Sequence, residues 1–252
     1  MKTLLLYPHG LGDCLMLTPT LREYYNKTGI KFSLCIQKRF ESSEIFKNCP
    51  YVENIHYVKD PWNDYPNYQI GFNEVIKDGN NIGKENNYDN TIYLACKSNI
   101  HKIIQNAKDL RIGLTDTSMD VFIGDDDKKI ADNVIKELVG DKKYGFIQTK
   151  TGAGTTKDLP EGYGEKWLKE NKGLENFIEI GKSFKYDEYN INVQFEILKR
   201  ASGVCVPDSV FYHACIAMNK DIDLVYFGRG RDVYNRVGSL NKNIKENVIY
   251  KL

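Results

Sequence analysis

Three short clusters in this 252-residue chain place reactive side chains beside glycines or helix starts. In the first, Gly10-Leu11-Gly12-Asp13 follows the apolar stretch Lys2–Tyr7 and precedes Leu15, Leu17 and Leu21. The stretch has the length and apolar content of a buried strand, and the leucines give the following helix an apolar face. Gly10 and Gly12 would allow a tight turn that brings backbone close to a ligand. A carboxylate at the carboxyl end of a first strand, beside a helix N-terminus, sits where open α/β sheets bind ligands. The same residue in the same place can also do no more than cap the helix. The second cluster is Thr151-Gly152-Ala153-Gly154-Thr155-Thr156-Lys157. Its backbone N–H groups and one ammonium could hold a phosphate, or it is an ordinary solvated turn. It is not the P-loop motif, because no glycine directly precedes Lys157 and Asp158 stands where Ser or Thr is needed. In the third, Asp208 or Ser209 caps a helix, and His213, four residues after Ser209, lies on the same helix face. A histidine so placed is either a structural residue or a ligand contact.

These clusters need strands and helices to hold them, and the chain supplies an alternating pattern. After the first unit, Lys31–Gln37 reads as a strand, Phe40–Phe46 as a short helix and Asn54–Val58 as a third strand. Residues 60–90 are rich in Asn, Asp, Gly, Pro and Tyr and read as loop, with one ambiguous segment at Tyr68–Ile76. Ile92–Ala107 has helical spacing, and Leu110–Leu114 reads as a short strand. Asp125-Asp126-Asp127 opens a helix ended by Gly140, with the acids where the helix dipole favours them. A second set follows: strand Tyr144–Thr149, strand Phe177–Ile180, helix Val193–Ala201, strand Val204–Val206, a helix to Met218 and strand Ile222–Phe227. Strands alternating with helices imply parallel sheets. The boundary is expected near Gly140–Tyr144, dividing the chain into lobes 1–142 and 143–252.

Composition excludes several classes. Thirty-five basic against 34 acidic residues leave a formal charge of +1, with the lysines spread along the chain, so no basic face announces a nucleic-acid partner. The six cysteines form no C-x-x-C pair, and most lie in apolar segments, as expected of a protein in a reducing cytoplasm. Pro8 and Gly10 break the first apolar run too early for a signal peptide, and no stretch approaches membrane-spanning length. A dinucleotide site is disfavoured: Leu15 occupies the third glycine position, and the second strand ends Ile36-Gln37-Lys38 without a ribose-binding acid. The four histidines lack metal-ligand spacing, and no Gly-x-Ser-x-Gly elbow supports a Ser-His-Asp hydrolase.

Together the three clusters resemble the signatures of the family 9 glycosyltransferases, the bacterial heptosyltransferases. Gly10–Arg22 is similar to that family's Gly-x-Gly-Asp turn followed by Thr-Pro-x-Leu-Arg, here Thr18-Pro19-Thr20-Leu21-Arg22. Gly152-Ala153 with Lys157 to Pro160 resembles its Gly-Ala turn leading to Lys-x-x-Pro. Asp208, Ser209 and His213 stand at the spacing of its Asp-Ser/Thr-Gly-x-x-His. The motifs occur in the family's order and cover under a fifth of the chain. Val210 stands in place of the last motif's glycine and Leu159 in place of a usual tryptophan. The chain is also shorter than common members, with a helix and strand expected to be missing or shrunken between Pro160 and Phe177.

The resemblance implies an α/β, GT-B-like fold of two facing Rossmann-like lobes with parallel sheets, the second lobe shortened. Residues 1–142 would be the acceptor-side lobe and 143–252 the nucleotide-sugar-binding lobe. It implies metal-independent, inverting transfer of a sugar from a nucleotide-diphosphate donor to a glycan, glycolipid or protein acceptor; in the family the donor is ADP-heptose and the acceptor a lipopolysaccharide core sugar. Asp13 would be the general base, and Gly12, Gly152, Thr156, Lys157, Asp208, Ser209 and His213 would bind the donor, Lys157 neutralising the departing diphosphate. No cofactor and no metal ligand is assigned. Two alternatives stay open: the same chemistry with another sugar and a capsule or protein acceptor, or a non-catalytic relative that binds a nucleotide sugar or glycan. A cytoplasmic location follows, with at most peripheral contact at the inner membrane surface.

Overall fold

The computed structural model describes residues 2–95, 100–152, 156–228 and 244–249. By contacts the chain forms two compact units, Met1–Thr117 and Ser118–Leu252. The first contains strands β1 (Thr3–Leu6), β2 (Phe32–Gln37), β3 (Val52–Val58) and β4 (Asn90–Tyr93) and helices α1 (Leu11–Thr28), α2 (Tyr68–Glu85) and α3 (Lys102–Asp109). The second contains helices α4 (Asp125–Val139), α5 (Tyr163–Lys172), α6 (Ile191–Arg200) and α7 (Val210–Ala217). Its strands are β5 (Gly145–Gln148), β6 (Phe177–Ile180), β7 (Gly203–Pro207), β8 (Ile222–Tyr226) and β9 (Glu246–Ile249).

Both sheets are parallel throughout, in the orders β3-β2-β1-β4 and β6-β5-β7-β8-β9. The parallel α/β reading is therefore what the chain adopts. In each sheet the chain builds outward from its first strand to one side and then returns to pair on that strand's other flank. The strand order thus reverses between β1 and β4 and between β5 and β7, and adjacent loops diverge at the carboxyl ends of those pairs. β1, β2, β5 and β7 are buried along their whole length, which is why they read as near-continuous apolar runs.

Helix α1 shows how one sequence motif is repaired. Pro19 lies inside it, buried, and cannot donate to the carbonyl of Leu15. The Thr18 hydroxyl donates to that carbonyl instead, at 2.8 Å. Leu21 fills the core, and Arg22 pairs with Asp116 at 2.9 Å. Lys27 donates to the Gly113 carbonyl and Thr115 to Glu23, so the end of the first unit is tied along α1.

Several sequence expectations are corrected. The segment at Tyr68–Ile76 is the start of an 18-residue helix, α2. Its buried positions Gly71, Val75, Gly79 and Gly83 recur every four residues. A Cβ on Gly71 would lie 2.0 Å from the Pro61 carbonyl oxygen, and one on Gly83 would lie 2.2 Å from Thr91 Oγ1. The glycines that signalled a loop are thus the face that lets this helix lie close against its neighbours. Ile92 belongs to β4 rather than to a helix, α3 starts only at Lys102, and Leu110–Leu114 forms no strand. Between Pro160 and Phe177 the chain forms one ten-residue helix, α5, and no strand. Strand β9 extends the second sheet beyond the last strand expected.

The division between compact units falls at Thr117/Ser118, ahead of the expected 142/143 boundary, because α4 packs on α6. Asp127 accepts from Gly124 N at 2.8 Å with one oxygen and from Asn190 Nδ2 at 3.0 Å with the other, while Arg200 of α6 pairs with Asp132 of α4. The acidic turn that opens α4 thus also holds two helices together through its third residue.

Replacing Thr18 with valine keeps the shape but leaves the buried Leu15 carbonyl without its hydroxyl donor. The expected cost is about 1–3 kcal/mol, read as a lowered urea midpoint with an unchanged m-value.

Candidate functional site

Asp13 stands in the first turn of α1, immediately after β1. The backbone N–H of Gly10 donates to its Oδ2 at 3.0 Å, so it does cap the helix. Gly10 is extended, with φ −66°, and a Cβ there would lie 3.4 Å from that oxygen, an ordinary contact. Gly12 lies inside the first turn of α1. The expected glycine-dependent tight turn is therefore not what places the acid; the capping hydrogen bond is.

The acid also has a cationic neighbour that the sequence did not suggest. Lys102, from the first turn of α3, brings its Nζ to 3.5 Å from Asp13 Oδ1. Its side chain is 6% exposed, against 27% for Asp13. Asn106, one turn further along α3, donates to the Met16 carbonyl and to the Tyr7 hydroxyl, which donates to the Asp13 carbonyl at 3.1 Å. The first turn of α1 is thus pinned to α3 by main-chain and side-chain bonds.

His9 completes this turn. Its Nε2 donates to the Leu94 carbonyl at 2.8 Å, bridging the loops after β1 and β4 where the strand order reverses. Burial, reinforced by the Lys102 charge, lowers its pKa from 6.5 to about 4. Its ring lies among Tyr7, Trp62, Phe72 and Tyr93, with Trp62 half exposed. Cys14, beside Asp13, is fully buried, and burial pushes its thiol up.

In the second unit the other two clusters come together. Lys157 Nζ lies 2.6 Å from Asp208 Oδ2 and donates to the Asp208 carbonyl at 3.4 Å. Ser209 is the N-cap of α7, accepting from Phe211 N at 3.2 Å, while its hydroxyl donates to Gln148 Oε1 at 2.5 Å. Gln148 ends β5 and Ser209 follows β7, so this bond spans the point where the second sheet's strand order reverses. A lysine ammonium and the capped N-terminus of α7 therefore occupy one strand-end crevice. That arrangement suits an anion with several oxygens.

The loop carrying Lys157 is anchored at both ends. Asp158 accepts from Thr151 N at 2.7 Å, and Leu159 N donates to the Thr149 carbonyl, with Leu159 buried in the core beneath. Thr149 in turn donates to Glu179 at 2.6 Å, and Tyr186 to the Lys150 carbonyl at 2.6 Å. Gly152 and Thr156 are exposed. Gly228, just after β8, was not singled out in the sequence. A Cβ there would fall 2.1 Å from the Thr156 carbonyl oxygen, so the loop rests on bare backbone. His213 is buried inside α7, its ring against Tyr212. Ala153 lies outside the described residues. Among the described residues no group of three or more His, Cys, Asp or Glu could hold a metal ion, and no helix is long and apolar enough to cross a membrane.

No family model matches this sequence, and neither does any curated protein. Solved structures do match. A glycosyl transferase family 9 protein from Veillonella parvula superposes with TM-score 0.69 at 13% identity, covering 98% of this chain and 85% of that one. The Escherichia coli ADP-heptose lps heptosyltransferase II gives TM-score 0.68 at 12% identity, covering 99% and 90%. The E. coli heptosyltransferase WaaC with ADP-2-deoxy-2-fluoro heptose gives 0.58 at 16%, covering 98% and 93%. The chain therefore has the fold of these enzymes, GT-B-like in its two parallel-sheet α/β units.

Two outcomes are expected from this geometry. Gly228→Ala must displace the Thr156–Lys157 backbone and should weaken anion binding at the α7 N-terminus, read by calorimetry, while the melting temperature shows the variant folded. His9 takes up its proton about 2.5 pH units lower when folded than when unfolded, so its contribution to stability is complete above pH 6.5 and is lost as pH falls toward 4. The loss amounts to about 3 kcal/mol, and urea midpoints across that window should fall less steeply for His9→Gln, which has no such group to titrate.

Proposed function

We propose that this chain is a glycosyltransferase of the heptosyltransferase type, which moves a sugar with inversion from a nucleotide-diphosphate donor to an acceptor hydroxyl. The observation that carries the reading is the 2.6 Å pair between Lys157 and Asp208 at the start of α7. It joins two separate sequence motifs beside the N-terminus of α7, at a sheet's switch point. The fold likeness supports the same assignment, since the matching structures include heptosyltransferases, one of them with ADP-2-deoxy-2-fluoro heptose.

On this reading the second unit binds the donor. Lys157 and the first-turn N–H groups of α7 face the two phosphates, and Asp208 fixes where the lysine points. Gly152 and Thr156 approach the phosphates from the loop. His213, buried in α7, shapes the helix start rather than offering a surface. The first unit binds the acceptor. Asp13 takes the proton of the acceptor hydroxyl as that oxygen attacks C1 of the sugar. The C1–oxygen bond to the diphosphate breaks, and the nucleoside diphosphate leaves with its new charge held by Lys157 and the α7 dipole. No cofactor and no metal ligand enters the scheme. The acceptor is a glycan, glycolipid or protein, and the protein works in the cytoplasm, at most touching the inner membrane surface.

Titration calorimetry with ADP, GDP and UDP, and with their sugar conjugates, tests the donor assignment. Selective ADP binding is expected, weakened roughly ten- to a hundredfold in Lys157→Gln, a change that removes one charge-assisted hydrogen bond but leaves Asp208 a donor. Selectivity for another base would replace the heptose donor by a different sugar nucleotide, and no binding of any would overturn the assignment. Asp13→Asn should bind donor normally and lose transfer by at least a hundredfold.

A further inference from the structure

Among the described residues of the first unit, Lys102 is a buried lysine. It is 5% exposed, and its Nζ finds no hydrogen-bond acceptor among the described residues. A lysine is almost never buried without a partner, because its ammonium is strongly hydrated in the unfolded chain. The charge it meets is Asp13, at 3.5 Å. On the same face of α3, Gln105 and Asn106 are buried, three and four residues on, where α3 packs against α1. A buried polar helix face of this kind costs stability relative to an apolar one, so its retention calls for a reason beyond packing.

We propose that Lys102 is the positioning residue of Asp13. The Gly10 N–H fixes one carboxylate oxygen and the Lys102 ammonium draws the other, so the carboxylate is presented in one orientation and in its charged form. Lys102 is nearly closed to solvent while Asp13 is partly open, so of the two Asp13 is the one an acceptor can reach. The geometry separates the two tasks: one residue reacts and the other aims it. The inference rests on the reading of Asp13 as the base.

The groups around the carboxylate define what else could set its titration. From β1 and the turn after it come the Tyr7 hydroxyl, bonded to the Asp13 main chain, and His9, neutral above about pH 4. From α1 comes the Cys14 thiol, whose pKa burial pushes up. From α3 comes Lys102, the cation that the described residues place within ion-pair distance of Asp13.

The test uses whole protein labelled with 13C at aspartate carboxyl carbons, the Asp13 signal being identified by its loss in Asp13→Asn. In wild type its midpoint should lie below the ordinary carboxylate value. In Lys102→Met it should rise by about one to three pH units, carrying the acid limb of kcat/KM with it. Lys102→Arg, which keeps the charge, should titrate with wild type. A wild-type midpoint at or above the ordinary value overturns the proposal, and so does an unchanged midpoint in a folded Lys102→Met. If the methionine variant fails to fold, the wild-type midpoint and the arginine variant still decide. Failure of the base reading is separable: it appears as full turnover of the donor sugar nucleotide in Asp13→Asn, whatever the carboxylate titration shows.

Discussion

An all-parallel sheet must return its chain across one face or the other after every strand, and where the direction of building changes, neighbouring loops part. In this protein that reversal happens beside the first strand of each unit, at β1/β4 and at β5/β7. The candidate chemistry lies at those two places. Asp13 and His9 follow β1, with His9 bonded across to the loop after β4. Lys157 follows β5 and Asp208-Ser209 follow β7, bridged by the Ser209–Gln148 hydrogen bond. The crevice is a topological consequence; the side chains that line it make it specific.

Each crevice handles charge in its own way. In the first unit a carboxylate and a largely hidden lysine face one another while the nearby histidine is kept neutral by burial. In the second the lysine and the carboxylate are in direct contact, and the lysine keeps some exposure beside a helix N-terminus. Low local dielectric strengthens both pairs and makes either partner costly to remove alone. The buried thiols play no part in this, since burial raises the pKa of Cys35, Cys205 and Cys215 as it does that of Cys14.

Much of this was legible in the sequence where the physics is local. Apolar runs at β1, β2, β5 and β7 announced buried parallel strands, and Ser209 and the Asp125–Asp127 turn announced helix starts. What could not be read depended on contacts between distant segments. Helix α2 was masked because its buried face is glycine, and glycine speaks for a helix only when something presses against it. β4 is four residues long and half buried, too short to outweigh the helical spacing that follows. Lys102 gave no signal of its own, since nothing in its neighbours tells that α3 packs against α1. Gln37 and Gln148, polar residues closing buried strands, were a signal that was there to be used; both donate to loop carbonyls and shape the crevice floors.

The account turns on whether the α7 crevice receives a nucleoside diphosphate. Titrating 15N-labelled protein with ADP and following backbone amides tests this most directly. The account predicts that the largest shifts fall at Lys157 and at the first-turn amides Val210 to Tyr212. Shifts confined to other surfaces, with those amides unmoved at saturation, would contradict it.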